Sequence, residues 1–242
     1  MILRHTDLIG SNFSLFLTLT ASTLFALVIG VAFHEFCHAF MADSLGDTLP
    51  SRQGRVTLNP LAHFEPMGAL MMLFVGFGWG RPVQFNPFGL KVSPKTATLL
   101  VAAAGPLSNF AAAFLLALPI KLEWVPYINP FGGIGALQGW KEYTGLFLTG
   151  AVYFNVILGV FNLIPLEPLD GFKVAIGLLP DDLAMQYAKL RQYGPGPLML
   201  LLFVIPIVTA QLKLNGGAGY YPLSDIMAPT VIRLLRFFTG IG

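Results

Sequence analysis

His34, Glu35 and His38 spell an H-E-x-x-H motif, the spacing that lets one helix face offer two imidazoles to a single metal ion. Glu35 lies beside them, where a carboxylate reaches a metal-activated water. A catalytic zinc site takes three protein ligands and leaves one position open, so one ligand must come from elsewhere. The chain has only four histidines, and His5 sits near the start of the sequence. Asp170, in FNLIPLEPLDGF, is the best third ligand, with Glu167 a rim group between two prolines. Cys37 points about 100° around the helix from His38 and reads as an inert thiol. His63, in NPLAH, reads as a structural or supporting histidine.

The surroundings of the motif are apolar. No charged residue occurs from Leu8 to Phe33. Of 242 residues, 55% are hydrophobic and 11% charged, with mean hydropathy +0.70. Soluble domains carry roughly a quarter charged residues, so the composition indicates an all-α polytopic membrane protein. Ionisable groups in lipid are expensive and usually functional. A net charge of +2 with scattered basic residues points away from nucleic acid. One cysteine excludes an internal disulfide. The first apolar run is too long for a signal-peptide core and carries the motif, so it is expected to be retained.

About 20 helical residues cross a bilayer. The uncharged runs Leu8–Phe33, Thr96–Ile120, Tyr143–Leu166 and Tyr193–Leu212 predict four transmembrane helices, the first continuing through HEFCH to near Gly46. A fifth run, Pro66–Gly80, is short and glycine-rich and is expected to be re-entrant. Residues 52–58 and 81–85 are β-branched or aromatic in part, and predict a small β-hairpin or sheet beside the helices. Asp181–Gln192 predicts a short helix, and Ser224–Phe238 a C-terminal one. Four spans make the first and third parallel, which brings HEFCH and Asp170 to one face.

Pro165 and Pro168 should break the third helix, and Gly171 is expected to lend backbone freedom for Asp170 to turn inward. Asn109, Asn155 and Asn162 lie in the later apolar helices. Amides there either join helices or hold a peptide backbone and its oxyanion. The basic residues divide by side as eight (Arg52, Arg55, Arg81, Lys91, Lys95, Lys173, Lys189, Arg191) against six (Arg4, Lys121, Lys141, Lys213, Arg233, Arg236), a slight lean toward a cytoplasmic site face.

HEFCH, NPLAH, GPLSN and NLIPLEPLDG, in this order, resemble the site-2 protease family of intramembrane zinc metalloproteases over roughly Leu24 to Pro195. The resemblance implies a single intramembrane metalloprotease domain over residues 1–242, in a compact form without a PDZ insertion or CBS domain. It implies one zinc ion held by His34, His38 and Asp170, with Glu35 as catalytic carboxylate. Asn109 would be catalytic, sharing the oxyanion, and Asn162 substrate-binding. The expected activity is endopeptidase cleavage in or near transmembrane segments of membrane-bound substrates, in a lipid bilayer that is expected to be the bacterial cytoplasmic membrane. A short strand could receive an unwound substrate by edge addition. The competing readings are a metal-ion transporter and a catalytically silent membrane scaffold.

Overall fold

The computed structural model describes residues 8–68, 80–88, 90–132, 134 and 137–241. Among these residues, three helices are long and apolar enough to cross a membrane: α1 (Phe13–Ser44), α2 (Pro94–Lys121) and α3 (Trp140–Asn162). Local chemistry sets their starts. Asn12 accepts from the Leu15 amide to cap α1, and Ser93 accepts from the Thr96 amide ahead of Pro94 in α2. α1 runs through HEFCH and stops where Gly46 takes a positive φ of 110°. The three pack against one another as a bundle.

α3 ends at Asn162, and a turn through Pro165 and Pro168 leads into α4 (Asp170–Leu178). Prolines thus end the span as expected, and Asp170 opens the next helix. α5 (Asp181–Ala188) follows, then a 3-10 turn to Tyr193. The predicted fourth span appears as α6 (Gly196–Gln211), bent 65° from Asp181–Tyr193. Its 16 residues rise about 24 Å, short of a ~30 Å hydrocarbon core. Among the described residues the membrane segments therefore number three, or four if this bent pair is one crossing. α7 (Pro222–Thr239) lays Val231, Leu235 and Phe238 against Ala113, Ala117, Val152 and Val156 of α2 and α3. The chain is a multi-pass membrane protein.

The expected β element is absent among the described residues. Arg52 closes a helical turn, Leu49–Arg52, residues 53–58 hold turns, bends and irregular chain, and residues 80–87 carry no regular secondary structure. The groups that a ladder would use are taken by side chains. Arg55, buried, donates to the carbonyls of Ala62, Arg81 (2.8 Å) and Pro82 (3.1 Å). Asp47 accepts from the Asn86 amide at 2.6 Å, and Pro82 has no amide to offer. Burial, with Arg81 nearby, pulls the Arg55 guanidinium below its usual pKa, and Glu35 pushes it back up.

The re-entrant reading of Pro66–Gly80 falls largely on residues 69–79, outside the described residues. Its flanks meet: His63 O accepts from Arg81 N at 2.8 Å, and Arg55 joins Ala62 to Arg81. The chain enters and leaves this segment at one place. Arg55→Met would remove three part-buried hydrogen bonds of a charged donor to carbonyls and their shared anchor, at roughly 1–3 kcal/mol each. We expect it to lower thermal stability in detergent by at least about 3 kcal/mol and to open the chain near Arg81 to limited proteolysis.

Candidate metal centre

Three buried donors converge where the C-terminal ends of α1 and α3 come together. His34 Nε2 and His38 Nε2 are 3.0 Å apart, and Asp170 Oδ2 lies 3.1 and 3.0 Å from them. The convergence confirms that α1 and α3 run parallel.

Hydrogen bonding fixes which ring nitrogens carry protons. Asn155 Nδ2 donates to Ala151 O, so its Oδ1 accepts. Asn109 Nδ2 donates to that oxygen at 3.2 Å and to Gly30 O at 3.1 Å. Asn109 Oδ1 is thereby turned to His34 Nδ1, 2.7 Å away, which must donate. His38 Nδ1 donates to Val101 O at 2.6 Å. In neutral imidazoles both Nε2 atoms are then bare lone pairs, and they face a carboxylate oxygen. Three acceptors at this spacing repel unless a cation sits among them. Tetrahedral zinc with bonds of ~2.0–2.1 Å spaces its donors at about 3.3 Å, within a few tenths of an ångström of what is found. The donor set fits a metal ion.

Helix α2 reaches the centre through Gly105 of GPLSN. A Cβ there would lie 2.4 Å from His38 Nε2 and 2.6 Å from His34 Nε2. Gly105 and the Val101 carbonyl escaped the sequence reading. A glycine beside Pro106 in a span was the available signal, but only packing shows what it admits. Gly171 also acts by close approach. A Cβ would lie 2.3 and 2.4 Å from the Leu163 and Ile164 carbonyls, and its φ is not positive. The freedom expected of Gly171 is thus a need for space, because α4 presses on the last turn of α3.

A cavity of about 330 Å³ opens onto the donors. Glu35, Asn109, Asn162 and Lys173 line it, as do Gly80, Pro82, Val83 and Phe85. Glu35 Oε2 is buried and has no hydrogen-bond partner among the described residues. Asn109 is fully buried, with both amide hydrogens committed. Asn162 spends one N–H on Leu158 O at 3.0 Å. Asn155 lies against Asn109 rather than in the cavity.

The remaining candidates lie elsewhere. His63 is 1% exposed, and its Nε2 donates to Thr57 O at 2.8 Å. Asn59 caps its helical turn by accepting from the Leu61 amide, which explains the NPLAH pattern. Glu167 pairs with Arg191 at 2.9 Å. Cys37 is outside the donor group, and His5 is outside the described residues.

Over 203 residues the chain is 34% identical to "Putative zinc metalloprotease YwhC" of Bacillus subtilis, an alignment covering 83% of this chain and 89% of that protein. The chain belongs to the site-2 protease family. It is also 28% identical to "Putative zinc metalloprotease Rip2" of Mycolicibacterium smegmatis over 192 residues (77% of this chain, 66% of that protein) and to the Rip2 of Mycobacterium tuberculosis over 185 residues (74% and 65%). No family model and no solved structure matches. As a site-2 protease relative, the chain is a membrane zinc metalloprotease, and its His-His-Asp cluster is where the family's metal chemistry fits.

Gly105→Ala should preserve the helical content but lower zinc affinity by roughly 100-fold or more, the upper end of what disturbing a ligand's surroundings costs. Competition against a chelating dye, beside circular dichroism, checks this. Unchanged affinity would separate α2 from the centre.

Proposed function

We propose that this chain hydrolyses peptide bonds in or near transmembrane segments of membrane-bound proteins, as in regulated intramembrane proteolysis, with one zinc ion held by His34, His38 and Asp170. The observation that carries the reading is Glu35. Its buried, unpartnered oxygen lines the same cavity as the three bare donors. A transport site or a silent scaffold has no use for a further buried carboxylate there. A carboxylate that takes a proton from water does.

Zinc bound there supplies Lewis acidity that makes water usable as a nucleophile near neutral pH. Glu35 accepts the water's proton and returns it to the leaving nitrogen. Asn109 has no N–H to spare, so we assign it to holding the His34 tautomer rather than to the oxyanion. Asn162, lining the cavity with one N–H and its side-chain oxygen uncommitted among the described residues, is assigned to the substrate backbone. The bacterial relatives favour a bacterial cytoplasmic membrane as its location.

Substrate in helical form hides its carbonyls, so the scissile region must unwind. Arg52–Leu58 provides no strand for it, but Val83 and Phe85 stand at the cavity wall in a segment without regular secondary structure. No backbone group of Val83, Gln84 or Phe85 has a hydrogen-bond partner among the described residues. That edge suits an added strand of substrate.

Glu35→Gln, purified in detergent, should keep zinc and lose cleavage of a single-span substrate by about 10²-fold or more. Cleavage at the wild-type rate removes Glu35 as the base. Gln84→Pro, which deletes one edge amide, should lower cleavage about 10-fold with zinc content unchanged, by analogy with the loss of ~1.4 kcal/mol of binding. An unaffected rate in folded protein argues against edge pairing at this position.

A further inference from the structure

Hydrolysis of an amide, the reading given above and the one on which this inference rests, places negative charge on the attacked carbonyl oxygen. Something in the cavity must meet that charge besides the metal. Of the polar side chains lining the cavity, His34, His38 and Asp170 present bare acceptors to the metal position. Ionised Glu35 only accepts. Asn109 has both hydrogens committed. That leaves Asn162, a neutral amide with one hydrogen already used, and Lys173.

Lys173 is the one cation among the described residues lining the cavity. It stands one turn beyond Asp170 on α4, so the same helix end that delivers the carboxylate also delivers the ammonium. Its Nζ lies 3.7 Å from Asp170 Oδ1, the oxygen turned away from the two histidines. This is an ion-pair distance but too long for a hydrogen bond. All three N–H groups are therefore uncommitted among the described residues. The side chain is 37% exposed, so the ammonium reaches both the cavity and the donors without being sealed in.

We propose that Lys173 is a further catalytic residue, whose ammonium donates a hydrogen bond to the scissile carbonyl oxygen as it becomes an oxyanion. The water oxygen bonds to the carbonyl carbon, the C=O π pair moves onto oxygen, and the water's proton passes to Glu35. Lys173 keeps its own protons and stabilises the charge. Collapse restores the C=O bond, breaks C–N, and the proton on Glu35 goes to the departing nitrogen. The contact with Asp170 holds the ammonium in place between turnovers.

The test uses the full chain with zinc in detergent, a synthetic transmembrane peptide that the wild type cleaves, and its phosphinic analogue, in which a tetrahedral anion replaces the scissile amide. Lys173→Met should retain zinc and lose about 10²-fold or more in kcat, as removal of an oxyanion donor does, with KM changed less than about 3-fold. The phosphinic analogue should bind at least about 10-fold more weakly. The uncleaved peptide, measured with Lys173→Met placed in a Glu35→Gln background, should bind as it does to Glu35→Gln alone. Lys173→Arg should recover most of the rate, because it restores a cationic donor.

Three results would overturn the assignment: a Lys173→Met rate within about 3-fold of wild type, loss of zinc from Lys173→Met, or equal weakening of peptide and analogue. The second would make Lys173 a support for Asp170, the third an ordinary binding group. A Glu35→Gln enzyme that cleaves as fast as wild type, or a wild type that cleaves no transmembrane peptide, breaks the hydrolysis reading itself and this inference with it. Loss of cleavage in Glu35→Gln beside a normal rate in Lys173→Met breaks the Lys173 assignment alone.

Discussion

Three acceptor atoms that repel one another are held within 3.1 Å, in a bundle whose outer faces are apolar. Most of the described architecture can be understood as what it takes to keep them there. Imidazole is useful to a metal only if its second nitrogen holds the proton, and here both second nitrogens face protein oxygens inside the bundle. A relay of amides settles it instead. Ala151 O sets Asn155, Asn155 and Gly30 O set Asn109, and Asn109 sets His34, while Val101 O sets His38. The tautomers thus depend on carbonyls from all three long helices.

Helix α2 is the hinge of this arrangement. It supplies an amide, a backbone carbonyl and, at Gly105, an absence of side chain, each to a neighbouring histidine. Its backbone can come that close only because Gly105 carries no Cβ. α3 then contributes Asn155 to the relay and, through its last turn, the surface on which α4 seats Asp170. Gly171 repeats the device of Gly105 there. The two glycines set the spacing of the centre from two sides.

Around this core, the loop chemistry shapes access. Arg55 gathers carbonyls from both sides of residues 66–80, and Asp47 anchors Asn86, so Val83 and Phe85 stay at the cavity with no backbone partner among the described residues. A buried guanidinium satisfied by carbonyls alone carries charge without a paired carboxylate, and Glu35 is the acid whose field it feels. Holding the segment with side chains leaves the wall free of a competing strand.

The motif, its apolar setting and the parallel arrangement of the first and third spans were legible from residue types and lengths, because hydropathy and the helical period are local properties. Asp170 as partner followed from its residue type in FNLIPLEPLDGF, with topology in support, since two helices of like direction end on one side. The hairpin was misread. β-propensity in Arg52–Leu58 and Arg81–Phe85 does not reveal that an arginine and an aspartate will take the carbonyls and amide a ladder needs. Gly171 was legible as a required glycine, but for the wrong reason, since space against a carbonyl is invisible to sequence. The sequence by itself marked out the candidate metal ligands and determined the membrane class. Only the tertiary structure decided the proton on each imidazole, the commitment of Asn109's hydrogens and the place of Lys173 at the cavity. Those properties belong to groups dozens of residues apart, and hydrogen-bond direction exists only once both partners are in place.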